Sequence, residues 1–413
     1  MEVLFPHCAA GDVHKKTVVV TVSHHPADAA KPKMVTRTFG TFTEDLLALH
    51  DWLLEEKVTH FAMEATGSYW KPIYNILEGS FTTWVVNPAH IKAVPGRKTD
   101  VKDSVWIVEL LQHGLLKPSF IPDRPQRELR ELVRYRKSAV EERSREVTRI
   151  QKVLEGANIK LGSVISDING LSGRAMIAAI AGGETDAKRL AELADRRVRA
   201  SAETLAKALT GLVTANQRYL LGIQMNHVAY LDAQIASLDK KIREQTEQFK
   251  EARDLLETIP GVKGHITDVI LAEIGPDVRP FRNGAALSSW AGVAPGNKVS
   301  GGKRLSGRSQ PGNQLLKASL VQAAWAASRA EGTYLQAQFR RLCVRLGKKK
   351  AALAVAHSIT EIIWVVLHRR SPYVDLGGNY FQSRDEEAAI RRAVNNLKAL
   401  GYEVSLAKVT KIA

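Results

Sequence analysis

The chain has 413 residues, of which 45% are hydrophobic and 25% are charged, and it carries a formal net charge of +16. This length allows roughly two or three domains with separate cores, and the hydrophobic share excludes a disordered chain. No apolar run approaches the roughly 20 residues that cross a bilayer, and the opening MEVLFPHCAAGDVHKK lacks the features of a signal peptide. Two distant cysteines, Cys8 and Cys343, exclude a disulfide framework or a zinc ribbon. We therefore expect a cytoplasmic protein without a membrane partner.

The positive charge is concentrated in the C-terminal part of the chain. Residues 1–120 contain 12 Lys and Arg against 13 Asp and Glu, whereas Arg279–Lys350 contains 14 basic residues and one acid, Glu331. This excess of positive charge predicts a polyanionic partner for the C-terminal part of the chain. The alternative, a solvated basic face, is disfavoured because the basic residues alternate with Gly, Ser and Pro instead of pairing with acids along a helix.

Residues 1–120 alternate between strand-like and helix-like patterns. A first strand lies within VLFPHCAAGD, with Pro6 leaving its limits open. The later predicted strands are Thr17–Val22, Met34–Phe39, Thr59–Met63 and Thr82–Val86. The predicted helices are 44–56, Tyr69–Leu77 and Val101–Leu111. Strands followed by alternating helices and strands predict an α/β domain over 1–120.

The remainder of the chain is predicted to be mainly helical. Glu128–Leu154 and Ala200–Phe249 have the spacing of long helices, plausible as an antiparallel coiled coil, within a spacer and oligomerisation region over 121–250. The next segment, 251–347, opens with Glu257–Gly275, which resembles a helix-hairpin-helix, although a plain turn between two helices explains it equally well. It continues with a helix at Gly284–Trp290 and a glycine-rich loop, Gly296–Gly312. A helical extension, 348–413, contains a helix at Ala351–Leu367.

Four acids fall at element boundaries in the first domain. Asp12 precedes a strand, Glu64 ends one, and Asp100 and Asp103 begin a helix three residues apart, so they share a face. Each acid alone is more simply a cap or a turn residue. As a set at one sheet edge, they suit Mg²⁺, or Mn²⁺ in its place, because both ions prefer carboxylate ligands.

The basic loop contains three serines, Ser300, Ser306 and Ser309, among several cations. A serine becomes a nucleophile only when a base or strong electrostatics activates it, and nearby Lys and Arg can stabilise charge on a phosphate. From the chemistry of the loop alone, each of the three serines is more simply a residue that contacts phosphate than a nucleophile. The candidates for nucleic-acid contact in and after this loop are Lys298, Lys303, Arg304, Arg308 and Lys317.

Four segments together resemble the IS110-type transposases, including their IS1111 branch. They are GDVHKKTVVV, FAMEATGSYW, VNPAHIKAVPGRKTDVKDSVWIVELL and AGVAPGNKVSGGKRLSGRSQPGNQLLKASLVQAAW. The resemblance spans both ends of the chain in the family's order.

The resemblance implies a fold class and a chemistry. The N-terminal domain is expected to be α/β and RuvC-like (RNase H-like), with Asp12, Glu64, Asp100 and Asp103 as its metal-binding tetrad. After the helical middle, a mainly α transposase domain is expected to carry the nucleophile, Ser300, with Ser306 and Ser309 as alternatives under a different alignment. No base is evident beside Ser300, so the acids of one subunit are expected to meet the serine of another.

The resemblance also implies the partners. They are donor and target DNA, a structured guide RNA, and further copies of the chain in a dimer or tetramer, all in a bacterial cytoplasm at the nucleoid. Two other functions stay open. One is a Holliday-junction resolvase or nuclease that uses metal-activated water, and the other is a non-enzymatic nucleic-acid-binding protein.

Overall fold

The computed structural model describes residues 2–26, 31–93, 103–296, 298–309, 311–384 and 386–406. The chain divides into two compact units, Met1–Ile121 and Pro122–Ala413. The first is a mixed α/β unit and the second is almost entirely helical. This agrees with the α/β and helical classes expected from the sequence.

The N-terminal unit is built on a five-stranded sheet of order β3-β2-β1-β4-β5. Its strands are β1 (His7–Val13), β2 (Thr17–His24), β3 (Lys33–Gly40), β4 (His60–Glu64) and β5 (Thr82–Val86). Its described helices are α1 (Thr43–Glu55), α2 (Trp70–Leu77), α3 (Pro88–Ala93) and α4 (Asp103–Gln112). The first three strands are antiparallel, and β4 and β5 run parallel to β1. The first strand begins directly after Pro6, which cannot donate to a strand ladder.

The two faces of the sheet belong to different cores because successive side chains of a strand point to opposite faces. Ala9 and Val13 of β1 join a core that includes Phe61 and Met63 of β4 together with α1 and α2. Cys8, Ala10 and Ala62 face a second core with α4. Burial raises the pKa of the Cys8 thiol to about 12, so this cysteine stays protonated, as expected of an ordinary buried thiol.

Helix α4 is attached to the sheet by buried hydroxyl contacts near both of its ends. Thr21 Oγ1 and Ser104 Oγ lie 2.9 Å apart, and Ser23 Oγ donates to Gln112 Oε1 at 2.8 Å. Buried polar groups need such partners, and leaving one unpaired costs about 1–3 kcal/mol. These two contacts therefore set the position of α4 along β2.

The C-terminal unit begins with two long antiparallel helices, α5 (Arg124–Gly156) and α10 (Ala215–Thr246). Ion pairs join Arg143 to Asp232 and Arg136 to Asp239. Between them in sequence lie α6 (Leu161–Val164), α7 (Leu171–Ala181), α8 (Ala187–Glu192) and α9 (Ala202–Leu209). These short helices share one core with the adjoining ends of α5 and α10.

The helix predicted over Ala200–Phe249 is wrong in one respect, because it is divided at residues 210–214. A Cβ on Gly211 would lie 2.4 Å from the carbonyl oxygen of Ala157, so the glycine permits a close backbone contact there. Thr214 then caps α10 reciprocally with Gln217. A tertiary contact therefore breaks a pattern that is helical by sequence.

The rest of the unit contains short helices and one hairpin. After a 3-10 turn at Glu247–Phe249 come α11 (Lys250–Leu256), α12 (His265–Glu273), α13 (Gly284–Trp290), β6 (Lys298–Ser300) and β7 (Lys303–Ser306). They are followed by α14 (Gln314–Ala327), α15 (Tyr334–Leu346), α16 (Lys348–Arg369), α17 (Tyr380–Ser383) and α18 (Glu386–Ala399). The predicted loop Gly296–Gly312 therefore contains a two-stranded hairpin.

Helix α16 is long and apolar enough to cross a membrane by length and composition alone. This differs from the expectation that no segment of the chain approaches such a length. Half of its apolar window is buried inside the protein, where it packs against α13, α14 and α15. Packing in the core of the C-terminal unit therefore accounts for the buried half of this window.

Candidate active site

Asp12 and Glu64 lie at the carboxyl ends of adjacent parallel strands. The paired register of β1 and β4 ends with Gly11 opposite Met63, and the two acids follow directly. Ala10 and Ala62, two residues earlier on each strand, face the core that contains α4. Because strand side chains alternate, Asp12 and Glu64 point to that same face.

Asp103 is brought toward this sheet end by the helix it begins. The next residue, Ser104, is buried and contacts Thr21, and Thr21 lies opposite Ala10 in the sheet. Asp12 is two residues beyond Ala10 on the same strand. The first turn of α4 therefore lies on the face to which Asp12 and Glu64 point, near the end of β1.

The fourth predicted acid, Asp100, lies outside the described residues. Within the part of the chain that the structure describes, no group of three or more His, Cys, Asp or Glu side chains is close enough to hold a metal ion. Asp12, Glu64 and Asp103 thus share one sheet end and one face without forming a closed ligand set there.

His14 is a neighbour of this acid group that the sequence did not single out. Its Nε2 lies 3.1 Å from Asp12 Oδ2, and the Asp12 side chain is 27% exposed. A histidine that bonds a ligating carboxylate helps to fix the orientation of that carboxylate. The sequence signal for this contact was the position of His14, two residues after Asp12 and just past the end of β1.

Ser300 ends the first strand of the hairpin and lies opposite Lys303. Gly301 and Gly302 form the turn, with φ of +55° and +75°. A two-residue hairpin turn with positive φ at both positions strongly favours glycine. The Gly-Gly pair therefore positions the backbone of Ser300 at the tip of the hairpin, next to the exposed Lys303.

The other two serines have partners within the unit. Ser306 Oγ accepts a hydrogen bond from the Arg308 backbone at 3.1 Å. Ser309 Oγ accepts one from Lys317 Nζ at 2.7 Å. Among the predicted nucleic-acid contacts, Lys298 and Arg304 belong to the hairpin strands and Arg308 is exposed, whereas Lys317 is engaged by Ser309.

A buried carboxylate, Glu273, fixes the chain just after the hairpin. Its side chain is fully buried and accepts hydrogen bonds from Arg134 Nε at 2.8 Å and Arg134 Nη2 at 2.9 Å. Asn313, the N-cap of α14, donates to the same carboxylate at 2.6 Å. Arg130 lies alongside at 3.3 Å, and burial lowers its pKa to about 10. This cluster ties α5, α12 and the start of α14 together.

The turn between α11 and α12 has a packing role at its central glycine. Gly261 has φ of +86°, and a Cβ there would lie 2.2 Å from the carbonyl oxygen of Ala323 in α14. This close packing explains why a glycine stands here, so no contact between the turn and a DNA phosphate is needed to explain it. The packing of Gly261 therefore supports the alternative that this segment is a plain turn between two helices.

Two family models match this chain. One, described as a transposase of the DEDD IS110 type, matches residues 9–159, and the other, described as the transposase IS116/IS110/IS902 family, matches residues 253–340. The chain is also similar to the transposase for insertion sequence element IS1111A of Coxiella burnetii (strain RSA 493 / Nine Mile phase I). The two are 24% identical over 328 residues, which cover 77% of this chain and 80% of the relative.

The α/β unit, the helical unit with its basic hairpin and these matches define a DNA transposase. Both family models describe the same kind of enzyme, and their matched regions together cover more than half of the chain. The chain belongs to the IS110 family of transposases. This confirms the family resemblance found in the sequence.

Proposed function

We propose that this transposase cuts and rejoins DNA with a RuvC-like acid site in its N-terminal unit and a serine nucleophile in its C-terminal unit. The observation that carries the proposal is the position of Asp12 and Glu64 on adjacent strand ends, facing α4, with Asp103 at the start of that helix. The sheet has three antiparallel strands and then two parallel ones, which supports the RuvC-like assignment.

The residues of the acid site fit a divalent cation. Asp12, Glu64 and Asp103, with Asp100 as the fourth acid, supply hard oxygen donors of the kind that Mg²⁺ or Mn²⁺ prefers. When bound, such ions stabilise charge on the attacking and leaving oxygens of a phosphodiester. His14 holds Asp12 in one orientation through the bond to its carboxylate.

Ser300 is proposed to attack the DNA phosphorus. A bond forms between Ser300 Oγ and phosphorus, the bond from phosphorus to a deoxyribose oxygen breaks, and the serine proton ends on that leaving oxygen. Lys303, opposite Ser300 in the hairpin, and Arg304 next to it stabilise negative charge on the phosphate. Reversal of this step on a second DNA end rejoins the strands.

We infer that the active unit is an oligomer, either a dimer or a tetramer built of two dimers. The family resemblance implies a site composed from two subunits, and here the acids and the serine belong to different compact units of the chain. The helical segment over 121–250 then acts as spacer and oligomerisation region between the acid domain, 1–120, and the serine domain, 251–347. Guidance by a structured RNA follows from the family resemblance, and the positive charge of +16 is compatible with such a partner.

The test is a denaturing gel of labelled DNA incubated with the protein, its cognate RNA and Mg²⁺. Wild type is expected to form a covalent protein–DNA adduct, and Ser300→Ala is expected to form none while DNA binding persists. Ser306→Ala and Ser309→Ala are matched controls from the same region and should keep the adduct. Cleavage by Ser300→Ala without any adduct in wild type would instead favour the hydrolytic nuclease.

An adduct that survives in Ser300→Ala and disappears in Ser309→Ala would transfer the role to Ser309. Retained adduct formation in Asp12→Ala and Glu64→Ala would contradict the acid site. Binding of DNA by wild type without any adduct or cleavage would instead favour a protein that only binds nucleic acid.

A further inference from the structure

A run of basic residues surrounds the junction of α15 and α16. Its six cations are Arg340, Arg341, Arg345, Lys348, Lys349 and Lys350. Between Glu331 and Glu361 the sequence contains no acid at all. We call these six residues the basic corner.

The fold gathers the basic corner around a single residue. Gly347 ends α15 and directly precedes α16, with φ of +76°. The cations of the last two turns of α15 therefore adjoin those of the first turn of α16. All six side chains are exposed.

The cations of the corner are not neutralised by neighbouring acids. Within the described part of the chain, none of the six forms an ion pair with Asp or Glu. Arg341 lies over the ring of Phe381, with 4.9 Å from its Cζ to the ring centroid. The corner therefore presents a concentrated positive charge to solvent.

The three lysines stand at the end of α16 where the helix dipole disfavours them. The first turn of a helix carries partial positive charge and favours acids, and Gly347 provides no side-chain cap. Helix stability thus gives no reason for three consecutive lysines at this place. An anion bound there would neutralise both the lysines and the helix end.

We propose that the basic corner is a binding surface for the phosphodiester backbone of DNA. The enzyme acts on DNA, and the corner begins where the matched family region, residues 253–340, ends. It is distinct from the cations of the β6–β7 hairpin. Binding here requires neither Ser300 nor a metal ion, so the inference goes beyond the proposed chemistry.

The chemistry of the corner favours DNA over an anionic lipid surface. A helix that lies on a membrane combines basic residues with a broad apolar face. In the described stretch 340–350, Val344 is the one large apolar side chain that is highly exposed. The exposed surface is otherwise almost purely cationic, which suits a strand of phosphates.

The experiment measures binding of a fluorescein-labelled DNA duplex to the full chain at several salt concentrations, without metal or RNA. The variant Lys348→Gln/Lys349→Gln/Lys350→Gln is expected to bind on the order of 100-fold more weakly at 0.1 M salt, with the slope of log K against log salt reduced by about 2–3. Its thermal unfolding midpoint should equal or exceed that of wild type, because an unfavourable helix-end charge is removed.

The matched control is Lys207→Gln/Lys240→Gln/Lys250→Gln, which removes the same charge from three other exposed helical lysines. Its slope should change by less than about 1. If the corner variant unfolds, the variant Arg340→Gln/Arg345→Gln on α15 tests the proposal in its place, because it leaves the start of α16 intact. It should also bind the DNA duplex more weakly than wild type.

Equal affinity and slope in the corner variant and the control variant would overturn the proposal. So would undiminished DNA binding combined with lost binding to vesicles of phosphatidylcholine and phosphatidylserine, which would assign the corner to a membrane. The binding measurement involves no strand cleavage, so a failure of the Ser300 proposal leaves its outcome unaffected.

Discussion

At the scale of single residues, Glu273 is a tightly held side chain within the candidate serine domain. It is fully buried, and its partners come from α5, more than a hundred residues earlier, and from the cap of α14. Burying a charge without a partner is costly, so the carboxylate and its guanidinium neighbours depend on one another.

Glu273→Ala is expected to lower the free energy of unfolding of the C-terminal unit by about 3–5 kcal/mol, because it removes a buried carboxylate that Arg134 bonds and that lies 3.3 Å from the largely buried Arg130. Urea denaturation followed by circular dichroism measures the change. Glu128→Ala is the control, since Glu128 is exposed and forms only a surface pair with Arg124, and it should cost less than about 1 kcal/mol. Equal effects in the two variants would contradict the role of the buried cluster.

At the scale of elements, the hairpin β6–β7 presents Ser300 through a turn that needs glycine. Gly301→Val introduces a β-branched side chain at positive φ and should cost about 1–2 kcal/mol locally, displacing Ser300. Gly301→Asn should be tolerated better, because asparagine adopts this conformation more readily. We expect adduct formation to fall strongly in the valine variant and mildly in the asparagine variant, measured as the initial rate on denaturing gels. Equal rates in wild type and both variants would show that the turn does not position the nucleophile.

Several elements could be predicted from local sequence because their patterns are local. The strand Thr82–Val86 and the helix Gly284–Trp290 have the bounds that the sequence predicts. The Gly301-Gly302 pair is a local signal for a two-residue hairpin turn, whereas Val299 is the one nearby residue of a type that strongly favours a strand. The break at Gly211 could not, because its cause is contact with Ala157, which is distant in sequence.

The candidate site was predictable to a similar degree. Strand alternation and the position of each acid at an element boundary relate Asp12 to Glu64. The placement of Asp103 depends on the contact between Thr21 and Ser104, which join parts of the chain 83 residues apart. Such a side-chain contact has no local signature, and neither has the burial of Glu273.

At the scale of the whole molecule, the two proposed centres are divided between units of different charge. Residues 1–120 are nearly neutral, and the excess positive charge lies in the remainder. A polyanion is therefore attracted mainly to the C-terminal unit. In the proposed reaction, the acids of the N-terminal unit act on DNA that the basic regions bind.

The most direct measurement of the central claim is complementation between two inactive variants, Asp12→Ala and Ser300→Ala, produced together in one cell and purified as mixed oligomers. If acids of one subunit act with the serine of another, a mixed dimer contains one intact composite site. We predict that each variant alone forms no recombinant DNA and that the mixture recovers a substantial fraction of wild-type recombination. A mixture that stays as inactive as its parents, although mixed oligomers are present, would contradict a site shared between subunits.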